Sequence, residues 1–193
     1  ELSAFYFDIR KDTLYCDPLN SKKRQATANL LGIILDMLLK WFAPILSFTT
    51  EEIFQILNEN KKTSIHLESF PKIPPSWENE KLFIKWEKFK KIRKVVNAAI
   101  EIKRSSKDIG SSLEADIQVY LGEEYLKLTK DFDLSEHFIT SKAEGKIMIN
   151  NNNLFKLDEI DNVKVLVKKA QGEKCPRCWK IFTKPCVRCG LNK

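Results

Sequence analysis

The sequence lacks any uninterrupted apolar run close to the ~20 residues that a membrane-spanning helix needs, and it has no basic-then-apolar leader. Thiols are nearly absent before residue 175, where Cys16 is the only cysteine. These absences predict a cytoplasmic protein without a membrane partner, in which thiols stay reduced. The chain begins at Glu1 instead of Met, inside a helical pattern, which predicts a piece of a longer protein.

The net charge of +7 is unevenly distributed along the 193 residues. Residues 81–108 carry a net +7 and residues 163–193 a net +8, whereas residues 109–162 carry a net −6. Two basic blocks predict a polyanionic partner that is contacted at two places. Solvated lysine-rich faces are the alternative, and charge alone does not decide between them.

Apolar residues at helical spacing predict helices in the first part of the chain. The predicted helices cover residues 1–15 and 21–43, and a capping box at Thr49 and Glu52 opens a shorter one. Amphipathic helices cannot bury their apolar stripes separately, so they are expected to pack as a bundle. The stripe of the second helix consists of Ala26, Leu30, Ile33, Ile34, Met37, Leu38 and Trp41.

The rest of the chain is predicted to form a long helix followed by a small region that contains both strands and a helix. The long helix is predicted over 80–107, after a proline-rich connector. Alternating patterns predict short strands over 113–121, 137–141, 146–149 and 163–169, with a short helix over 123–130. The predicted fold is mainly α, with three domains: a helical bundle at 1–79, a long helix plus small α/β element at 80–170, and a four-cysteine zinc module of the ribbon or knuckle type at 171–193.

Four of the five cysteines lie in the stretch CPRCWKIFTKPCVRCG, as two Cys-x-x-Cys pairs. Two such turns can present four thiolates in the tetrahedron that zinc prefers, and nearby cations favour the thiolate form. The pattern predicts one structural Zn²⁺ per chain, held by Cys175, Cys178, Cys186 and Cys189. An iron site of the rubredoxin type and a redox-active pair are the alternatives. Cys16 is predicted to be a plain thiol, and His66 and His137 ordinary surface or core residues.

Aromatic and basic residues within this tail point to nucleic acid. Arg177 lies between the first two cysteines and Trp179 follows the second, with Lys180 and Arg188 close by in sequence. An exposed indole beside an arginine can stack on an RNA base and contact a phosphate. The alternative is that Trp179 packs inside the module as its core. The cluster Lys22, Lys23 and Arg24 opens the second helix, where it could meet phosphate or simply be solvated.

The sequence resembles a known family in several stretches. The runs LSAFYFDIRKDTLY at 2–15 and SKKRQATANLLGIILDMLLKWFAPILSFTTEEIF at 21–54 resemble the anticodon-binding helical domain of class I aminoacyl-tRNA synthetases for aliphatic amino acids. HLESFP at 66–71 and KDIGSSLEADIQVY at 107–120 are similar to the segments that follow it. The combination with CPRCW at 175–179 resembles the bacterial isoleucyl-tRNA synthetases. The spacer between the two cysteine pairs is shorter than is usual in that family.

The resemblance implies a tRNA-reading region that contacts the anticodon stem-loop of the isoleucine-specific tRNA. Arg177 and Trp179 match residues that the family uses at the anticodon. The ATP-binding signatures HIGH and KMSKS are absent from the 193 residues. The resemblance therefore implies that catalytic and editing domains lie upstream, and that this chain alone does not activate an amino acid. A free-standing zinc-ribbon RNA-binding protein and a rubredoxin-like electron carrier are the competing functions.

Overall fold

Residues 2–59, 63–149 and 153–189 are described by the computed structural model of the chain. Helices make up about half of the chain, together with a small sheet and a cysteine cluster, so the mainly α composition is confirmed at this level. Among the described residues, a π-helical turn over Leu2–Phe7 precedes the first α-helix. The helices are α1 (Asp8–Cys16), α2 (Lys22–Phe42), α3 (Ser47–Leu57), α4 (Glu80–Ser105), α5 (Glu123–Thr129) and α6 (Leu134–His137). The strands are β1 (Ala115–Leu121), β2 (Lys142–Ile147), β3 (Val163–Lys169), β4 (Glu173–Lys174) and β5 (Ile181–Phe182).

Packing divides the chain into two units. The smaller unit comprises residues 18–78, and the larger unit comprises residues 1–17 together with 79–193. The structure thus places α1 in the larger unit. The domain boundaries expected after residues 79 and 170 stay predictions, because packing by itself does not show which segments fold or function independently.

In the smaller unit, α2 and α3 pack along a narrow seam. Its buried residues are Leu39 and Ala43 at the end of α2, Phe54 of α3, and Ile65 beyond it. The stripe predicted for α2 is therefore only partly buried: Leu30 and Trp41 are 38% and 44% exposed. Two helices share only one line of contact, which cannot cover a stripe that runs along the whole of the longer helix.

The start of α3 also differs from the prediction. The helix begins at Ser47, two residues before the predicted cap at Thr49, and its N-cap position is Leu46, without a side-chain hydrogen bond. The predicted capping box is therefore wrong. By contrast, α2 has the expected kind of cap, because the Ser21 hydroxyl accepts a hydrogen bond from the Arg24 N–H.

The core of the larger unit lies between α4 and a three-stranded sheet of order β2-β1-β3. Strand β1 pairs in parallel with β2 and antiparallel with β3. Alternate residues of β1 and β3 are buried, so one face of the sheet packs on the helix and the other faces outward. The helix side of this core is formed by Phe89, Ile92, Val95, Val96, Ala99 and Ile100.

A short helix stands where the sequence pattern predicts part of a strand. The strand predicted at 137–141 is wrong, because α6 covers Leu134–His137 and β2 begins only at Lys142. The Asp133 carboxylate caps α6 by accepting a hydrogen bond from the Glu136 N–H. Glu136 in turn holds α1, since its Oε1 lies 2.8 Å from Arg10 Nη1.

Candidate functional site

The four cysteines of the tail come together at one point. Cys175 and Cys178 lie between β4 and β5, while Cys186 and Cys189 follow β5. All four sulfurs lie within 4.8 Å of one another, and Cys178 Sγ is 3.9 Å from Cys186 Sγ. Zinc–sulfur bonds of about 2.3 Å in a tetrahedron place sulfurs about 3.8 Å apart. The cluster therefore has the ligand type, number and spacing that a tetrahedral metal ion requires.

The backbone around the first pair supports a thiolate. Burial acts to raise the pKa of Cys175, but backbone N–H groups of Cys178 and Arg177 and the neighbouring thiols lower this pKa to about 7. Burial raises the pKa of Cys178 to about 11 and also raises the pKa of Cys189. A bound cation would deprotonate these two thiols, since coordination stabilises the thiolate directly. The cluster thus needs a metal ion to hold four thiolates at neutral pH.

A glycine allows the strands that flank the first pair to approach each other. Gly172, just before β4, has φ +123°, which an L side chain rarely adopts. A Cβ atom at this position would lie 2.0 Å from the carbonyl oxygen of Phe182. Only glycine fits here, so the local fold of the four-cysteine module at 171–193, called the metal module below, depends on this residue.

Arg188, between the last two cysteines, binds the end of α1. Its Nε donates a 2.5 Å hydrogen bond to Asp17 Oδ1, and its Nη1 forms an ion pair with the Asp12 carboxylate. Nη2 also donates to the Asp12 carbonyl at 3.1 Å. Burial acts to lower the pKa of Arg188, but the two carboxylates raise it above its ordinary value. Arg188 therefore attaches the second cysteine pair to α1.

Arg177, between the first two cysteines, makes a related contact. Its Nη2 donates a 3.0 Å hydrogen bond to the carbonyl oxygen of Tyr15, in the last turn of α1. Such carbonyls lack partners within their helix, and a cation near them interacts favourably with the helix dipole. Cys16, in the same turn, is buried against the cysteine cluster. Both pairs are thus anchored to one helix end.

A third contact joins the metal module to the sheet. The Ser141 hydroxyl, just before β2, accepts a 2.6 Å hydrogen bond from the Ile181 N–H of β5. The same hydroxyl donates to the Leu113 carbonyl oxygen. Sequence reasoning missed Ser141, Asp12 and Asp17. Nothing near these residues in the sequence indicates that they contact the tail, because Ser141 is already 40 positions from its partner and Asp12 is 176 positions from Arg188.

Trp179 is the most exposed large aromatic residue of the module. Its side chain is 59% exposed, and Lys174 Nζ lies 5.7 Å from the ring centroid. Its backbone is left-handed, with φ +62°, and its N–H donates a 2.9 Å hydrogen bond to the Cys175 carbonyl. The cysteine turn thus fixes the main chain while the indole faces solvent. Lys180, the next residue, is buried at 7% exposure.

The remaining predicted RNA-binding residues lie in the other unit. Lys22 and Lys23 are exposed at the first turn of α2, and Arg24 is half-buried there. They belong to the smaller unit, whereas Arg177, Trp179, Lys180 and Arg188 belong to the larger one. Their RNA contact stays a prediction.

The basic block on α4 is largely paired with carboxylates. Lys85 Nζ lies 2.7 Å from Asp131 Oδ2, and Lys94 Nζ lies 2.6 Å from Glu159 Oε1. Lys88 forms a further pair with Glu124 and lowers the pKa of that carboxyl group. The acidic stretch at 109–162 thus neutralises part of the preceding basic block within the molecule. This face of α4 therefore presents less net positive charge to a polyanion than the sequence indicates.

Comparison with known proteins identifies the family. Residues 1–121 match the family model described as the anticodon-binding domain of tRNA ligase. The chain belongs to this family. None of its described helices combines the length and apolar character needed to cross a membrane.

Curated relatives extend the likeness through the cysteine-rich tail. An isoleucine–tRNA ligase of Pelagibacter ubique is 50% identical over 188 residues, which are 97% of this chain and 20% of the relative. One of Bradyrhizobium diazoefficiens is 46% identical over 94% of this chain and 18% of its own length. One of Natranaerobius thermophilus is 39% identical over 93% and 20%, respectively. The chain therefore spans about a fifth of the length of these relatives.

Proposed function

We propose that this chain is the tRNA-binding, anticodon-recognising C-terminal region of an isoleucine–tRNA ligase. The family match and relatives of that name at 39–50% identity support the assignment. In the whole protein, catalytic and editing domains would precede residue 1, and the catalytic domain would ligate isoleucine to its tRNA in the cytoplasm. Residues 1–79 would form the helical anticodon-binding domain, 80–170 a junction domain and 171–193 the metal module.

The metal of this proposal is one structural Zn²⁺ per chain, held by Cys175, Cys178, Cys186 and Cys189. Four mutually close sulfurs support it, because they fill a tetrahedral shell and leave no position for a substrate. Zinc would supply charge that holds the thiolates together, and with them the turns that carry Arg177 and Trp179. Its role is to shape the RNA-binding surface.

The observation that carries the RNA assignment is the exposure of Trp179 on a fixed backbone. A ring that is 59% exposed and already held by its main chain can stack on an unpaired base at little entropic cost. Arg177 lies two residues away and uses one N–H for Tyr15, so its other donors remain for a phosphate or base edge.

Lys180 and Arg188 have a structural role in this proposal. Lys180 is buried, and Arg188 is bound by Asp12 and Asp17, so both would position the module beside the RNA. Lys22, Lys23 and Arg24 would meet phosphates at the N-terminus of α2, where backbone N–H groups add donors.

The test is binding of an isoleucine tRNA transcript to the zinc-loaded chain. Trp179→Ala is expected to weaken binding by ~1–3 kcal/mol and to leave the salt dependence almost unchanged, because stacking displaces few counterions. Zinc content is measured first in each variant. Trp77→Ala removes an indole that is 52% exposed in the smaller unit and serves as the matched control. A zinc-replete Trp179→Ala chain that binds as tightly as wild type would remove the stacking role.

A further inference from the structure

A polar cleft lies in the larger unit, between the outward face of the sheet and the β4–β5 hairpin of the metal module. Its volume is about 530 Å³, within the range of about 300–1,000 Å³ that is typical of small-ligand sites. The hairpin contributes Phe182 and Thr183, and the sheet contributes Gln118 of β1. The cationic residues of the lining are Lys142, Lys168 and Lys169.

Strand register brings these cations together. Asp116 of β1 pairs with Lys142 of β2 on one side and with Lys168 of β3 on the other, so all three share the outward face. Lys169 is next along β3, opposite the buried Ala115, so its side chain belongs to the other face and the residue only borders the end of the cleft. Asp116 also lines the cleft, so Lys142, Lys168 and this carboxylate together leave one positive charge there.

The lysines of the cleft differ from Lys85, Lys88 and Lys94 of α4 in their partners. Within the parts of the chain that the structure describes, Lys142, Lys168 and Lys169 form no ion pair within 4.0 Å, whereas Lys85 and Lys94 each have a carboxylate partner. A ligand anion in the cleft would therefore meet cations without displacing a carboxylate of the protein. This makes the end of the sheet a more favourable polyanion site than the paired lysines of α4.

The other walls of the cleft contain groups that can bind a nucleic-acid base. Gln118 Oε1 accepts a 3.0 Å hydrogen bond from the Tyr120 hydroxyl, which orients the amide and leaves its NH₂ group free to donate. Phe182 is half-buried and contributes a ring to the wall. The Ile181–Ser141 hydrogen bond fixes this wall against the sheet. The cleft is thus partly a product of the docked metal module.

We propose that this cleft binds the backbone of a single-stranded stretch of RNA, with Lys142 and Lys168 on its phosphates and Gln118 beside an adjoining base. The inference rests on the proposed function, because that function supplies RNA as the polyanion. Single strands fit better than a duplex, since one nucleotide fills such a volume and unpaired bases expose their edges. The site lies on the sheet, outside the CPRCW turn.

The experiment measures tRNA binding over a series of salt concentrations with two double variants of the zinc-loaded chain. K142Q/K168Q removes two unpaired cations of the cleft, and K88Q/K94Q removes two paired cations of α4 as the matched control. For each phosphate that the cleft variant no longer neutralises, binding at 0.1 M salt is expected to be about fivefold weaker and the logarithmic salt slope shallower by about 0.7. The α4 variant should stay close to wild type. Zinc content and circular dichroism verify that both variants are folded.

The outcomes separate the two proposals. If the wild-type chain fails to bind the transcript, the proposed function and the cleft assignment are both overturned. If it binds and the two double variants behave alike, the cleft assignment alone is overturned. Inorganic phosphate is then added at constant ionic strength. Displacement of the RNA from wild type, but not from K142Q/K168Q, would show that RNA and phosphate share the cleft and would support the RNA assignment. Phosphate that binds the wild-type chain more tightly than K142Q/K168Q without weakening RNA binding would identify a free-phosphate site and overturn the RNA assignment.

Discussion

Arg188 and Asp17 connect the last cysteine pair to the end of the first α-helix through a 2.5 Å hydrogen bond between Nε and Oδ1. Asp12 binds the same guanidinium from one helical turn earlier. The side chains of Asp12 and Asp17 are only 20% and 12% exposed, so this ion-pair cluster is shielded from solvent. Removing one partner of such a shielded cluster costs more than breaking a surface pair, because it leaves the other charges unpaired away from solvent.

Arg188→Ala is expected to lower the free energy of unfolding by about 1–3 kcal/mol, because it leaves two carboxylates without their cation. Chemical denaturation measures this change. Arg104→Ala, which breaks an exposed pair with Glu101 on α4, is the control and should change stability by less than about 0.5 kcal/mol. Equal effects of the two variants would contradict a stabilising role for the Arg188 cluster.

Asp17→Asn separates this structural role from direct RNA contact. The variant weakens the cluster while it retains the cation, so it should destabilise the chain as Arg188→Ala does, though less. If Arg188 acts by positioning the metal module, Asp17→Asn should also weaken tRNA binding, as measured by filter binding at constant salt. Unchanged or tighter binding in a folded, zinc-loaded variant would favour direct contact of Arg188 with the RNA.

Metal analysis is expected to find one zinc ion per chain. Cys178→Ser should release or weaken it, because only four sulfurs of the described chain surround the site and each completes the tetrahedron. Cys16→Ala is the control and should retain the metal, since Cys16 packs against the cluster but is not one of those four sulfurs. The helices of the smaller unit should persist in both variants by circular dichroism. A red protein would identify iron instead of zinc.

Gly172→Ala is expected to disrupt the metal module. A Cβ atom there would lie 2.0 Å from the Phe182 carbonyl oxygen, at a backbone conformation that alanine disfavours. Zinc should therefore be lost faster to a chelator. Gly32→Ala is the matched control, because Gly32 lies inside α2 and a Cβ atom there would meet no atom within 4 Å outside the nearby helix backbone, among the described residues. That change should stabilise the helix by up to about 1 kcal/mol. Wild-type chelation kinetics in Gly172→Ala would contradict the close approach.

Stability is expected to fall as the pH drops below the ordinary histidine range, through His137. Burial lowers the pKa of His137, which packs against Trp86 and Phe132. The unfolded chain therefore binds this proton at a higher pH than the folded chain does, so the stability present above the unfolded pKa is lost on acidification. Denaturation between about pH 5 and 7 with saturating zinc measures the slope. His137→Gln should flatten it relative to exposed His66→Gln, and identical slopes would argue against the effect.

The metal cluster and the long helices could be predicted from the sequence because their signals are local. Each cysteine pair spans four residues, and Asn79 caps α4 one position before its predicted start. The strand wrongly predicted at 137–141 lies close to a local helix signal, since Asp133 is a typical helix cap.

The surroundings of the cluster depend on contacts between distant parts of the chain. Arg188 and Asp12 are 176 positions apart, and Arg177 and Tyr15 are 162 positions apart. The charge of α4 is visible in the sequence, but its pairing with Glu124 and Glu159 follows only from how α4 packs on the region after it. The extent to which α2 is buried likewise depends on how many neighbouring elements pack against its apolar stripe.

The pairing along α4 also gives the larger unit an asymmetric electric field. Carboxylates cancel Lys85 and Lys94 on the helix, while Lys142 and Lys168 have no such partner within the described ranges. Part of the uncompensated positive charge of the larger unit therefore lies at the end of the sheet beside the metal module. A polyanion that approaches by diffusion experiences a torque in such a field, so the two molecules are already oriented before they touch, and added salt slows their encounter.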